Sequence, residues 1–545
     1  MAGWWCDPEA AGLEVLPNPW DDRDAIVLYQ AQVARATEQL LEELTPLLND
    51  LNGVSEPLRY WRWLLEPWLL LLVAATADRL LFVRTVHALA PDKPVRHGRG
   101  SLRPPTRIRE GTDDLVSESW NVQALALLCE RAGQSLAPEA TGPPPADKSA
   151  ARRSARVVAG ELAQRALAAA PGRRALLLGL LHLSPADVLR LMRAAPGARY
   201  GGLPPGHIRA QDAPPRTDAR KRLSAVGSGD DLREAVAALL PQTLPVSVIE
   251  GYTELVRESR ERHGEPGPVV HGNYSFHEID NEYLARCGAG DAPIAFVQHG
   301  GAYFQAAVMD WVELRPDTQF FSWGVQAPGV RPVTSPHLAK LADSHVPGGD
   351  EIVVVEDIVT AALFVTRFSS EPMGNQRLEL FDRLSRLATA VDEPTRRSLR
   401  LKRFPGAGVR RPPAVETLPP PAGRGAVSAS AAMRSARVAV VTYPDTPFLE
   451  ALVIGVPTIG FWDPGRWEMT PVAAALYEQL EAADIVIADP ERAAAHLDAI
   501  HDDPASWWAS AAVQAARGAY LDYFVRRGDW LADWGAALRD LRCAL

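Results

Sequence analysis

Apolar residues recur at helical spacing over residues 24–49, break over 49–57, and recur again over 58–88, which predicts a helical hairpin near the N-terminus. Within its second arm, residues 67–77 (PWLLLLVAATA) are apolar on every side. That run is too short to cross a bilayer and is flanked by Glu66 and by Asp78 and Arg79, so it predicts a buried core helix. Residues 115–132 and 150–170 also read as helices, separated by a proline-rich link over 137–146, while 174–182 fits either a strand or a buried helix. Glycine, proline and charge dominate 195–231 and predict a mobile loop; 231–240 and 246–263 return to helical spacing.

From Pro268 the pattern alternates between short apolar runs and helical segments. Strands are expected at PVVHGNY, at 293–298 and at 320–323, with a helix over 277–289. After a linker around 324–336, a second series runs through a strand at 352–355, a helix over 375–391, a strand at 398–404 and a loop over 405–424. It leads into RVAVVTYPDTPFLEALVIGVPTIGFWDP (437–464), a compact strand–loop–helix–strand unit. There Thr446 stands where an N-cap belongs, Pro447 takes the first helical position, and Gly455 closes the helix. Further helices follow from Pro471. The expectation is an α/β protein of two domains, 1–330 with the N-terminal helical region and 331–545 with the C-terminal helices.

Composition narrows the class. A net charge of −10 with 47% hydrophobic and 23% charged residues fits a soluble globular chain and argues against a general nucleic-acid binder. The cysteines Cys6, Cys129, Cys287 and Cys543 stand singly, without metal-ligand spacing, which points to a reducing compartment and no cysteine-based metal site. The N-terminus lacks a basic region followed by an apolar stretch, so a cytoplasmic location is expected.

Three constellations could carry chemistry. Gln298-His299-Gly300-Gly301-Ala302-Tyr303 follows a buried strand; the glycines allow close backbone approach, and the imidazole can donate to an oxyanion or act as acid or base. A tight turn with a structural histidine is the plainer alternative. The preceding strand ends in His271 to Asp280, and adjacent strands could bring Glu278 or Asp280 near His299 as nucleophile or base. Both acids also suit the first turn of a helix. In the third, the hydroxyls of Thr442 and Thr446 suit a phosphate at the helix N-terminus, and Glu450 could accept from ribose hydroxyls. Lys402, Arg403 and Arg466 are candidate counter-charges. No Walker loop, GxGxxG, HExxH or GxSxG motif occurs.

Several of these segments, in this order, resemble the transferases of O-antigen and surface-polysaccharide gene clusters first catalogued in spirochaetes. LRYWRWLLEPWLLLLVAATADR (58–79) resembles that family's aromatic helix, FVQHGGAYF its Gln-His-Gly-Gly-x-Tyr-Gly motif, and FFSWG (320–324) its Trp-Gly strand. VVTYPDTPFLEALVIGVPTIGFWDP resembles its Thr-x-Tyr-Asn-Ser-Thr segment, and residues 502–534 its closing tryptophan-rich helices. The resemblance implies a GT-B-like fold, two Rossmann-like domains facing across a cleft, and glycosyl transfer in surface-glycan assembly. More distantly the layout is similar to transferases that use CMP-activated 3-deoxy-ulosonic acids such as Kdo. That likeness implies His299 beside the donor phosphate or sugar carboxylate, Thr442 and Thr446 on the phosphate, and Glu450 on the nucleotide; Gly300, Gly301, Arg403 and Asp445 complete the expected donor-binding set. The implied partners are a nucleotide-sugar donor and a glycan or lipid-linked acceptor, with at most peripheral membrane association and no cofactor. A CDP-polyol phosphotransferase of teichoic-acid type and a degenerate transferase acting as a scaffold are the rivals. Two departures stand out: Pro444-Asp445 replaces the family's Asn-Ser, and Phe304 replaces its glycine after the tyrosine. An aspartate facing a phosphate would repel it.

Overall fold

The computed structural model describes residues 19–89, 91, 95–97, 102–134, 136–138, 175–178, 183–201, 207–272, 277–308, 312–357, 365, 367–404, 411–422 and 427–543. The N-terminal hairpin forms as expected, from the helices Arg23–Asn52 and Leu58–Leu89. The second arm keeps Pro67 inside it and buries residues around its whole circumference, so it is a core helix. The helix expected at 150–170 lies outside the described residues. A small parallel pair, β1 (Val95–His97) and β2 (Leu136–Pro138), follows the hairpin.

Two larger parallel sheets make this a mixed α/β protein. The first has six strands in the order β4-β3-β5-β6-β7-β8: β3 (Ala175–Leu178), β4 (Ala198–Tyr200), β5 (Val269–His271), β6 (Ile294–Val297), β7 (Gln319–Ser322) and β8 (Val330–Pro332). The second has four in the order β10-β9-β11-β12: β9 (Ile352–Val355), β10 (Leu399–Lys402), β11 (Val438–Val441) and β12 (Thr458–Gly460). The central strands are buried on both faces, which is why β6, β9 and β11 read as unbroken apolar runs. In the second, Val353, Val355, Ala439 and Val441 enter one core while Ile352, Val354, Val438 and Val440 enter another. In each sheet the order reverses beside its first strand, at β3/β5 and at β9/β11, which opens a crevice beyond the carboxyl ends of those strands.

The chain passes from the first sheet to the second between β8 and β9, but the helices that pack on the sheets do not divide there. The last helix, Trp530–Cys543, returns to the first sheet, where Trp534 and Leu538 pack with Leu177 and Phe321. The two connections lie side by side, with the Arg526 amide donating to the Trp323 carbonyl at 2.5 Å. At the other end of the chain, Arg23 pairs with Glu468 at 2.6 Å and donates to the carbonyls of Glu371 and Arg466.

The mobile loop expected over 195–231 is corrected. It contains β4, the short helix Thr217–Lys221 and 3-10 turns at Arg209–Asp212 and Arg222–Ala225. Ile208, Ala210 and Leu223 are buried there, so an irregular but packed segment hides beneath a glycine- and proline-rich composition. The supposed linker at 324–336 likewise contains β8.

Candidate active site

At the carboxyl end of β6 the Gln298 side chain fixes the turn. Its amide donates to the Gly300 carbonyl at 2.8 Å, and its oxygen accepts the Trp323 amide at 2.8 Å. His299 comes next, partly exposed, with Nδ1 2.9 Å from the Tyr303 hydroxyl. Tyr303 is 1% exposed and its hydroxyl donates to Glu313 at 3.2 Å. Burial first, then the Glu313 carboxylate, push the Tyr303 pKa well above its ordinary value, so the phenol keeps its proton. With that proton on the Glu313 side, the phenol oxygen accepts from His299 Nδ1–H. Nε2 is then the nitrogen that takes a proton when the ring is neutral and donates one when it is charged. Glu313 lay in a segment to which the sequence assigned no element.

The residue after this tyrosine has a local explanation. Phe304 adopts φ 64°, a left-handed conformation that glycine tolerates and a phenyl side chain rarely does. Its ring is held against Phe320, with centroids 5.9 Å apart, and its carbonyl accepts the Thr470 hydroxyl at 2.9 Å.

The carboxyl end of β11 meets this loop. The helix Thr446–Ile454 begins one residue earlier than the sequence suggested: Asp445 is its N-cap, and Thr446 and Pro447 are its first two residues. The Asp445 carboxylate accepts the Thr446 amide at 2.6 Å and the Thr446 hydroxyl at 3.1 Å. That hydroxyl in turn accepts the Gly301 amide at 2.8 Å. A Cβ on Gly301 would lie 2.7 Å from the Thr446 amide nitrogen and 2.8 Å from the Asp445 carbonyl carbon, so only glycine allows this approach. Desolvation raises the Asp445 pKa, the bonds from Thr446 and the Ala302 amide oppose it, and nearby Glu371 adds to it. The odd aspartate is therefore turned onto the helix N-terminus and the loop of the other sheet, whose N–H groups only partly offset the cost of burying its charge.

The remaining candidates divide. Glu450, 8% exposed, pairs with His337 Nε2 at 2.6 Å from the helix Pro336–Leu341. Thr442 is buried, donates to the Val355 carbonyl at 3.0 Å, and lines a cleft beyond β9, β11 and β12 together with Asp357, Arg377, Arg383, Trp462 and Arg466. Arg403 is engaged elsewhere, in an exposed pair with Glu416 at 2.9 Å.

β5 and β6 are neighbours, as the sequence suggested, yet neither acid of the next helix forms a hydrogen bond or ion pair with His299. Glu278 is fully buried and faces Arg107 at 3.1 Å; desolvation raises its pKa against that charge. Asp280 bonds to His263 Nε2 at 2.8 Å, and although burial opposes its ionisation, that bond with the nearby positive groups holds its pKa low. Both acids anchor the helix Glu278–Ala289 from within. Among the described residues no group of three or more His, Cys, Asp or Glu side chains is placed to hold a metal ion.

No curated protein matches the chain. Residues 1–538, nearly its whole length, match the family described as LIC12162 family transferase, and the chain belongs to that family of transferases.

Proposed function

We propose that this transferase moves a glycosyl group from a nucleotide-activated donor to a glycan or lipid-linked acceptor of the cell surface. In this reading the two sheets are Rossmann-like domains that face across a cleft, the GT-B plan. The observation that carries it is the seam between the Gly300-Gly301 loop and the Asp445-Thr446 helix start, where the carboxyl ends of the two sheets meet. A donor lying beside that seam would have Thr442 near its phosphate and Glu450 near its ribose. The acceptor hydroxyl attacks the anomeric carbon, the bond from that carbon to the phosphate oxygen breaks, and the acceptor's proton leaves to solvent or a base. His299, its charged form supported through Tyr303 by Glu313, donates Nε2–H to the departing phosphate. A CMP-linked 3-deoxy-ulosonic acid is the donor that the family likeness favours.

No helix among the described residues is long and apolar enough to cross a membrane. A cytoplasmic enzyme that meets its acceptor at the membrane surface agrees with that. The test is a transfer assay with CMP-linked and CDP-linked donors on the native enzyme and on His299→Ala. Sugar transfer that His299→Ala abolishes without shifting the melting temperature supports the reading. Transfer of a polyol phosphate from the CDP donor would replace it with the phosphotransferase, and no transfer at all would favour a scaffold.

A further inference from the structure

The cleft beyond β9, β11 and β12 contains a cation that no carboxylate among the described residues holds in an ion pair, although Asp463, Glu379 and Asp489 are near enough to favour its charge. Its arginines differ in what holds them. Arg466 is bound in a two-point pair by Glu379, at 2.7 and 3.0 Å, and Arg377 pairs with Glu371 at 3.0 Å. Arg383, from the helix Glu379–Ala390, has no carboxylate within ion-pair distance among the described residues. One of its terminal nitrogens donates to the Ala488 carbonyl, its buried Nε has no hydrogen-bond partner, and its guanidinium lies 5.2 Å from the centre of the Phe461 ring. A half-buried guanidinium with an unused donor is costly to keep unless something supplies an anion.

The surroundings say what kind of anion. Thr442 lines the same cleft, which opens to solvent. Asp357 and Asp463 also line it, and their carboxylates can accept from hydroxyl groups. A ligand that carries an anionic group and hydroxyls together matches this mixture better than a simple carboxylate does. The N-terminus of the Thr446–Ile454 helix, the other place at which a phosphate would be sought, already has the Asp445 carboxylate on it.

We infer that Arg383 binds a phosphate group, in a subsite formed with Thr442 beyond the ends of β11 and β12. The inference rests on the nucleotide-donor reading for its ligand class, and assigns the charge contact to Arg383 in place of Arg403. A guanidinium presents two parallel N–H donors to a phosphate, which lysine cannot reproduce.

The experiment is isothermal titration of the full chain with inorganic pyrophosphate, using the native protein, Arg383→Gln, Arg383→Lys and Arg466→Gln, each first checked for an unchanged melting temperature. Pyrophosphate should bind the native protein. Arg383→Gln should weaken it by at least about tenfold, the loss of one charge-assisted contact. Arg383→Lys should recover part of that loss, and Arg466→Gln, which removes a guanidinium already held by Glu379, should change affinity by less than about threefold. No pyrophosphate binding, equal affinity of native and Arg383→Gln proteins, or equal losses at Arg383 and Arg466 would each overturn the assignment. Nucleotide titrations judge the donor reading separately. A nucleotide bound equally well by Arg383→Gln would sink the subsite and spare that reading, whereas pyrophosphate held by Arg383 with no nucleotide bound would do the reverse.

Discussion

The Gly301 amide donates to the Thr446 hydroxyl across 2.8 Å, which joins the loop after β6 in one sheet to the helix after β11 in the other. Two motifs separated by 145 residues thus form one surface, and the fit depends on a missing side chain.

Replacing that glycine should part the two. A Gly301→Ala methyl would press on the backbone of Asp445 and Thr446, which cannot swing aside as a flexible side chain would. A loss of about 1–3 kcal/mol in unfolding free energy is expected from such overpacking. At Gly300 the nearest atoms to a new Cβ are the Thr446 hydroxyl at 3.5 Å and an Asp445 oxygen at 3.8 Å, ordinary contacts, so Gly300→Ala should cost little. Urea unfolding of the two variants compares them directly; equal losses would contradict the seam.

The pH dependence of Asp445 has a definite sign. Its pKa in the folded protein lies above the ordinary 3.8, so over the window just above that value the folded state holds a proton that the unfolded state has released. Its contribution to stability is therefore complete below the ordinary carboxyl pKa and declines as pH rises through the folded one. Asp445→Asn, which can still accept the Thr446 amide, should gain on the native protein as pH rises through this window, and the difference should vanish in acid. Asp445→Ala loses the cap as well and should cost about 1 kcal/mol. Melting temperatures across the acidic to neutral range measure both, and an asparagine variant that loses ground as pH rises would be inconsistent with this picture.

Tyr303→Phe removes one hydroxyl between His299 and Glu313 and keeps the buried ring. Turnover should fall by roughly 10- to 100-fold, within the range for a disturbed proton-transfer group, while donor affinity holds. Glu313→Gln should act in the same direction, because a neutral amide supports the charged imidazole less. Unchanged turnover in both would show that the relay only fixes the loop.

Glu450 gives a test that depends on the sugar of the nucleotide. If its carboxylate accepts ribose hydroxyls, Glu450→Gln should weaken a ribonucleotide by several-fold to about tenfold and hardly affect the matching 2′,3′-dideoxynucleotide. Equal losses for the two ligands would mean that the Glu450–His337 pair acts through the fold instead.

The sequence revealed the elements of this architecture better than their partners. Runs such as Ile352–Val355 and Val438–Val441 are continuous and β-branched because both faces of the sheet are buried, and that pattern is local. The helix start at 445–446 was off by one residue because aspartate and threonine both cap and proline suits either of the first two positions. Glu278 and Asp280 read as catalytic candidates or first-turn acids, and the deciding facts are Arg107, 171 residues away, and His263 on a neighbouring helix. Tyr303 stood in a recognisable motif, but Glu313 did not. The unpartnered Nε of Arg383 exists only after its surroundings have folded, so no spacing rule could have found it.

A nucleotide-activated donor should bind this transferase, and calorimetric titration of the native chain with CMP, CDP, UDP and GDP measures that without any acceptor. Saturable binding of one nucleotide in preference to the others, CMP first, is expected, with binding weakened in Arg383→Gln. No measurable binding of any of the four would contradict it.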